Sequence, residues 1–306
     1  VSKSLAQDAE LLRHFDYDRK TPLNIKHLGV QHHARADVYD VTYDSLQGGV
    51  VPAYLVVPKG RGPFAAVIWG HWYWDNSSMR NRRQFLDEAI VLAQAGVVSL
   101  LTDGPVARPG HEAIKEPLDE RRQLEFFQQI MDMRRGVDVL LSRRNVDANR
   151  IAFVGHSYNA GVGAVLSGAD RRFKAFVLMA GSLSDEVTRQ AKEYQEFRQK
   201  VGARKLDALT EKYSWLDQGK YVSHAAPAIV FLQFATRESF LTPERARQYA
   251  AVVSEPKQFK LYEAPHALNA EARRDRIAFL TEQLKLKPLP AVAIDGIPNL
   301  YQPPAN

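Results

Sequence analysis

The sequence predicts an α/β fold in which a mostly parallel, twisted sheet is covered by helices on both faces. Short runs made almost wholly of apolar residues recur along the chain, as expected of parallel strands that are buried on both faces. Between these runs, apolar residues recur at intervals of three and four, which indicates helices with one face packed against a sheet. Strands that alternate with helices in this way are typical of a parallel sheet.

The composition excludes several classes of function. The 306 residues include no cysteine, which excludes disulfides, thiolate metal sites and a cysteine nucleophile. The formal net charge is +6, but the arginines are scattered in pairs and form no basic tract, so we expect no nucleic-acid partner. No apolar run is long enough to span a bilayer, so we expect no membrane partner. Without a recognisable signal sequence, a cytoplasmic location and a secreted or periplasmic one after processing both stay open, as does the oligomeric state.

The first part of the chain predicts a hairpin at the edge of the sheet. Residues 1–36 are polar without a strong period and are expected to form an arm or a short helix. Alternating apolar residues over 37–43, the turn at Gly48-Gly49 and the apolar stretch 50–57 predict two antiparallel strands.

Strands and helices then alternate along most of the remaining chain. Buried strands are predicted at residues 64–69, 97–101, 151–154, 173–179, 228–234 and 259–262. Helices are predicted from Phe85 to near Gly96, from about Glu120, over 158–166, after Thr242-Pro243-Glu244 and over 269–284. The proline-rich tail, 287–306, is expected to pack as an irregular strap.

Residues 182–222 interrupt this alternation with two amphipathic helical stripes. We expect a helical insertion at the carboxyl ends of the strands, where a lid would lie. The alternative is a pair of surface helices with no gating role. No repeat or flexible linker is found, so the whole chain, 1–306, is interpreted as a single domain with this insertion.

The segment from Arg150 to Gly163 carries the strongest functional signal. Its apolar start predicts a strand and its small residues predict a helix, with Ser157 on the turn between them. A serine on such a turn is the nucleophile elbow of a hydrolase. The pattern has glycine where Asn159 stands, and asparagine tolerates unusual backbone angles better than most residues.

A serine hydroxyl needs a base to take its proton, and the base needs a carboxylate to orient it. In this topology the acid and then the histidine follow the serine along the chain. Glu238 and His266 each come just after a predicted strand, so the predicted triad is Ser157, Glu238 and His266.

Two other carboxylates compete for the role of the acid. Asp185 follows the strand at 173–179 and is the main rival of Glu238, because both precede His266 and both follow strands. Glu263 lies at a strand end and ranks third.

An oxyanion hole usually needs two backbone N–H groups. One is predicted at Tyr158, the residue after the nucleophile, and the other in the loop that follows the strand at 64–69. We favour Trp72 in that loop, with Tyr73 as the alternative. His71 is expected to order the loop through hydrogen bonds.

Four segments carry a family resemblance, and they span the chain from about Asp37 to Gly181. They are LVVPKGRGPFAAVIWGHW, NRRQFLDEAIVLAQAGVVSLLTDGP, RIAFVGHSYNAG and RRFKAFVLMAG. The chain resembles the α/β-hydrolase superfamily, within it the dienelactone hydrolase and acetyl xylan esterase-like branch. This resemblance implies a Ser-acid-His hydrolase that needs no cofactor or metal. Ser157 replaces the cysteine of true dienelactone hydrolases, which weighs against their substrate.

The predicted function is hydrolysis of a small carboxylic ester through an acyl-enzyme on Ser157. A peptidase or amidase with the same triad is the alternative among enzymes. A catalytically inactive binding protein on the same fold is the alternative from another class.

Overall fold

The computed structural model describes residues 10–74, 76–181, 183–238 and 240–300, and in them nine strands form one sheet. The strands are β1 (Lys26–His32), β2 (Ala36–Asp44), β3 (Val50–Pro58), β4 (Phe64–Gly70), β5 (Val97–Thr102), β6 (Val146–His156), β7 (Ala175–Met179), β8 (Ile229–Ala235) and β9 (Lys257–Tyr262). Their order in the sheet is β1-β2-β3-β5-β4-β6-β7-β8-β9. The neighbours from β5 to β9 are parallel, and those from β1 to β5 are antiparallel.

Helices cover both faces of the sheet. They are α1 (Leu86–Ala93), α2 (Arg121–Leu141), α3 (Tyr158–Ala169), α4 (Asp185–Arg189), α5 (Lys192–Val201), α6 (Ala203–Lys212), α7 (Gln218–Val222), α8 (Pro243–Val252), α9 (Ala270–Gln283) and α10 (Ala291–Asp295). Helices α2, α3 and α8 pack into one hydrophobic core, and α1 and α9 pack into a second core on the opposite face. Residues of β4 alternate between the two cores, which explains why this strand is apolar throughout.

The fold confirms the predicted hairpin of β2 and β3, but β1 and not β2 lies at the edge of the sheet. All seven residues of β1 are exposed, so this strand has no alternation that the sequence could reveal. Strand β6 begins at Val146, five residues before the predicted strand at 151–154. Val146 and Ile151 of β6 pair with Phe64 and Ala66 of β4, and the residues between Val146 and Ile151 form an irregularity in β6.

The helical segment after β7 has an inner and an outer part. Helix α7 contributes Tyr221 and Val222 to the core, and a Cβ at Gly168 of α3 would overlap the backbone of Tyr221. By contrast, α5 has no buried residue and α6 buries only Leu206. We call α5 and α6, residues 192–212, the outer hairpin.

Ion pairs link the outer hairpin to the body of the protein. Glu193 pairs with Arg245 at 2.7 Å, and Lys212 pairs with Glu120 at 2.6 Å. Lys212, Glu120 and Glu193 are exposed and Arg245 is partly buried, and pairs with an exposed partner contribute little to stability. The hairpin is therefore held less firmly than the rest of the fold.

None of the helices in the described ranges is both long and apolar enough to cross a membrane. The predicted strap contains α10, a single helical turn, within residues 287–300. Parts of three predicted segments lie outside the described residues: 1–9 of the arm, 182 of the insertion and 301–306 of the tail.

Candidate active site

Ser157 lies between the last residue of β6 and the first residue of α3. Its backbone has φ +56° and ψ −115°, a conformation that costs energy for any residue except glycine. The neighbouring strand end supports this turn, because the Ser157 N–H donates to the carbonyl of Met179 at 2.7 Å. A Cβ at Gly181 would overlap the backbone of Ser157, so the glycine just after β7 leaves room for the turn. The geometry is that of a nucleophile elbow.

Asn159 replaces the usual glycine of the elbow, and the structure shows what accommodates it. Its side chain is buried and occupies the space beside Gly70, where a Cβ would overlap it. Its Nδ2 donates to the carbonyl of His71 at 2.6 Å, and its Oδ1 accepts from Gln129 at 3.0 Å. The asparagine therefore ties the elbow to the loop after β4.

The structure brings His266 and Glu238 together. Nδ1 of His266 lies 2.6 Å from Oε1 of Glu238, and the two side chains are 8% and 11% exposed. Nδ1 donates this hydrogen bond, since the carboxylate can only accept. Nε2 of His266 is buried and has no hydrogen-bond partner among the described residues. No hydrogen bond between Nε2 and the Ser157 hydroxyl is present in this part of the chain.

The rival acids lie apart from this pair. The carboxylate of Asp185 faces Arg189 at 3.6 Å, and the backbone N–H of Asp185 donates to Oδ1 of Asp217. Glu263 is exposed. Glu238 is thus the candidate acid that contacts His266.

A buried relay of hydrogen bonds joins the loop after β4 to the loop that carries His266. The N–H of Trp72 donates to Oε1 of Gln84 at 2.7 Å, and Nε2 of Gln84 donates to Nδ1 of His156 at 2.6 Å. Nε2 of His156 in turn donates to the carbonyl of His266 at 2.9 Å. We call these residues the Gln84–His156 relay; no motif in the sequence predicts a role for Gln84 or His156.

This relay corrects the prediction for Trp72. Its N–H was expected to be free to bind an oxyanion, but the side-chain oxygen of Gln84 already accepts from it. Tyr158 differs, because it is the first residue of α3 and its N–H has no acceptor within the helix.

Burial keeps two histidines of the site neutral. Burial lowers the pKa of His156 well below its usual value, since a charged imidazole would lose its hydration. Burial likewise lowers the pKa of His71 to about 4. Nδ1 of His71 donates to the carbonyl of Trp72, and Nε2 accepts from the N–H of Gly104. His71 therefore orders its loop through hydrogen bonds, as the sequence predicts.

Aromatic rings of the loop after β4 pack against His266 and Tyr158. The ring of Trp74 lies 4.9 Å from that of His266, and the ring of Trp72 stacks at 6.2 Å. Tyr73 stacks on Tyr158 with 3.9 Å between ring centres. The loop thus covers His266 on one side and the start of α3 on the other.

A cavity of about 620 Å³ opens beside Ser157 and Tyr158. The helical segment after β7 supplies about half of its lining, including Tyr194 and Phe197 of α5. The cavity is also lined by Arg122, Asp185, Arg189, Tyr213 and Asp217. Within the residues that the structure describes, no cluster of histidine and carboxylate side chains could hold a metal ion.

A parallel sheet with a serine held at positive φ between strand and helix, and with an imidazole–carboxylate pair after its last two strands, defines an α/β-hydrolase. The acetyl xylan esterase (AXE1) family model matches residues 17–199, and the chain belongs to this family. The protein is accordingly a carboxylic ester hydrolase.

Solved structures of esterases share this fold at low sequence identity. The acetyl xylan esterase from Paenibacillus sp. R4 has a TM-score of 0.69 at 20% identity, over 91% of this chain and 93% of that one. Acetyl xylan esterase 1 from Thermoanaerobacterium sp. JW/SL YS485 has a TM-score of 0.72 at 15% identity, covering 90% and 93%. A glucuronoyl esterase from Solibacter usitatus has a TM-score of 0.62 at 15% identity, covering 90% and 91%. No curated protein matches the sequence.

Proposed function

We propose that Ser157, His266 and Glu238 form a catalytic triad that hydrolyses the ester through an acyl-enzyme. The observation that carries this proposal is the arrangement of His266. Its Nδ1 is bonded to Glu238 at 2.6 Å, while its buried Nε2 has no partner in the described part of the chain. An imidazole oriented in this way presents a basic nitrogen for a serine hydroxyl.

In the first half of the reaction, Nε2 of His266 takes the proton of Ser157 as Oγ attacks the ester carbonyl. Glu238 holds the tautomer with the proton on Nδ1 and stabilises the imidazolium that forms. His266 then gives the proton to the departing alkoxide, which leaves as the alcohol. In the second half, His266 activates a water that releases the acid from Ser157.

The negative charge on the tetrahedral oxygen needs hydrogen-bond donors. The Tyr158 N–H is the first donor in this proposal, because the start of α3 leaves it without a helical acceptor. The second donor is the N–H of Tyr73, since Gln84 already occupies that of Trp72. The stacking of Tyr73 on Tyr158 at 3.9 Å supports this assignment by keeping the two residues side by side.

The substrate class in this proposal is an acetyl ester of a saccharide. Family membership supports this class, and two of the related structures are acetyl xylan esterases. The aromatic rings of Tyr194, Phe197 and Tyr213 line the cavity beside Ser157, where they can pack against the faces of sugar rings. The outer hairpin then acts as a lid over the alcohol part of the substrate.

The peptidase alternative gains no support from the cavity. A substrate amine would need an uncompensated carboxylate, but Asp185 pairs with Arg189 and Asp217 accepts two backbone N–H groups. The ester reaction is therefore the function that the site supports best.

The nucleophile is tested with Ser157→Ala and an aryl acetate substrate. We expect kcat to fall by about a millionfold, as for removal of a triad serine. A fluorophosphonate probe should add one label per wild-type chain and none to this variant. Ser223→Ala, a partly exposed serine away from the cavity, is the matched control and should label normally. Substantial turnover or labelling in folded Ser157→Ala would refute the triad.

A further inference from the structure

A second cavity, of about 310 Å³, lies between the starts of α1 and α9 and the C-terminal strap. Its lining contains none of Ser157, Glu238 and His266, so it is distinct from the catalytic cavity. Buried polar side chains converge on it from both helices. We call it the Arg273 cavity, after the arginine of α9 that lines it.

Arg273 is only 5% exposed, and no carboxylate among the described residues forms an ion pair with it, although Glu88 and Asp295 are close enough to act on it electrostatically. Its Nη1 donates to the carbonyl of Pro298 at 3.3 Å and to Oδ1 of Asn299 at 3.0 Å, both neutral acceptors. Its Nε is buried and has no partner within the described residues. None of the ion pairs found among these residues involves Arg273.

The carboxylates near Arg273 are bound to other arginines. Glu88 forms two hydrogen bonds with Arg276, at 2.8 and 2.6 Å, and Asp295 pairs with Arg274 at 2.7 Å. Asp87, the remaining carboxylate of the lining, is exposed to solvent.

The charge around the cavity is therefore unbalanced. Its lining contains three arginines, Arg83, Arg273 and Arg276, against the two carboxylates Asp87 and Glu88. A buried charge without an ion-pair partner is costly, and burial lowers the pKa of the Arg273 guanidinium even though the nearby carboxylate of Glu88 opposes this shift. An anion in the cavity would remove this cost.

We propose that the Arg273 cavity is a binding site for a small hydroxylated carboxylate. A guanidinium binds a carboxylate through two parallel N–H groups, and the guanidinium of Arg273, a residue that lines the cavity, has only neutral acceptors among the described residues. Asn76, Ser77 and Ser78 add amide and hydroxyl groups to the lining, which suit the hydroxyls of such an acid. The volume is that of a pocket for a small molecule.

Calorimetric titration of the full chain with D-gluconate tests this site, with D-glucitol as the neutral molecule of matched size. We expect saturable binding of gluconate and none of glucitol. Arg273→Gln should weaken gluconate binding by about tenfold or more. Arg274→Gln is the matched control, because it removes the same charge one residue away, from an exposed side chain that is paired with Asp295. It should leave the affinity within about twofold.

Two further arms keep the test decisive. If gluconate produces no saturable heat with the wild-type protein at concentrations up to about 10 mM, the proposal is overturned even if Arg273→Gln fails to fold. If Arg122→Gln abolishes binding and Arg273→Gln does not, the anion lies in the catalytic cavity and the proposal is also overturned.

Discussion

His156 donates a hydrogen bond from Nε2 to the backbone carbonyl of His266 at 2.9 Å, with both residues buried. This bond joins the residue immediately before the proposed nucleophile to the proposed base. Because Gln84 fixes the other nitrogen of His156, the position of His266 depends on residues from three separate parts of the chain. The relay gives the first prediction.

Replacing Gln84 with methionine keeps a similar side-chain length but removes both hydrogen bonds of the amide. We expect kcat to fall by about a hundredfold, the cost of a displacement of about 1 Å at the reacting groups, with a small change in KM. Steady-state kinetics measure this split. Gln94→Met, at an exposed position just after α1, is the control and should behave as the wild type. An unchanged kcat in Gln84→Met would show that the relay does not position His266.

The acid is identified by comparing two conservative substitutions. Glu238→Gln keeps the shape but removes the charge that orients His266, so kcat should fall by about a thousandfold or more. Asp185→Asn should be mild, because Asp185 pairs with Arg189. The opposite result, with Asp185→Asn crippling and Glu238→Gln nearly silent, would make the triad Ser157-Asp185-His266.

Buried His71 predicts a loss of stability in acid. Its pKa in the folded protein is about 4, below the value of about 6.5 in the unfolded chain, so acidification protonates the unfolded chain first. The stability that this histidine confers is complete above pH ~6.5 and is lost as the pH falls towards 4, by about 3 kcal/mol in total.

Urea unfolding at a series of pH values measures this loss. Between pH ~6.5 and 4, the free energy of unfolding should change less with pH in His71→Gln than in the wild type, because the substitution removes the group that titrates. His27→Gln removes an exposed histidine and should leave the slope as it is. Equal slopes for His71→Gln and the wild type would contradict the assignment.

The outer hairpin is tested at Tyr194 and Phe197, which line the catalytic cavity. Phe197 is 37% exposed, so replacing both residues with alanine should change Tm little. The kcat/KM for acetylated xylo-oligosaccharide should fall by roughly tenfold relative to that for an aryl acetate, through loss of apolar contact. Lys192→Ala, on the exposed side of the same helix, is the control. A parallel change for both substrates would mean that the hairpin does not contact the saccharide.

The elements that the sequence predicts best are those buried on both faces. The strands around Ile68, Leu100 and Val177 form continuous apolar runs, and their order places the elbow and the two later loops at one edge of the sheet. Strand β1 is not predicted, because all of its residues are exposed and no alternation of buried and exposed positions shapes its sequence.

Within the candidate site, local motifs predict individual side chains but not the contacts between distant ones. The elbow motif identifies Ser157 because strand, turn and helix are consecutive in the sequence. Gln84 and His156 are 72 positions apart, and nothing local to either indicates that they meet. The capture of the Trp72 N–H by Gln84 was missed for the same reason.

The fit between Asn159 and Gly70 makes these two positions a coupled pair. Asparagine at 159 requires the absence of a side chain at 70, and a larger residue at 70 would require glycine at 159. A larger residue at position 70 alone, or glycine at position 159 alone, should be harmful. The two substitutions together refill the space between the positions but leave the His71 carbonyl without its amide donor. In evolutionary terms, the two sites are expected to covary among homologues. A search pattern that insists on the second glycine of the elbow would overlook lineages that have taken this alternative solution.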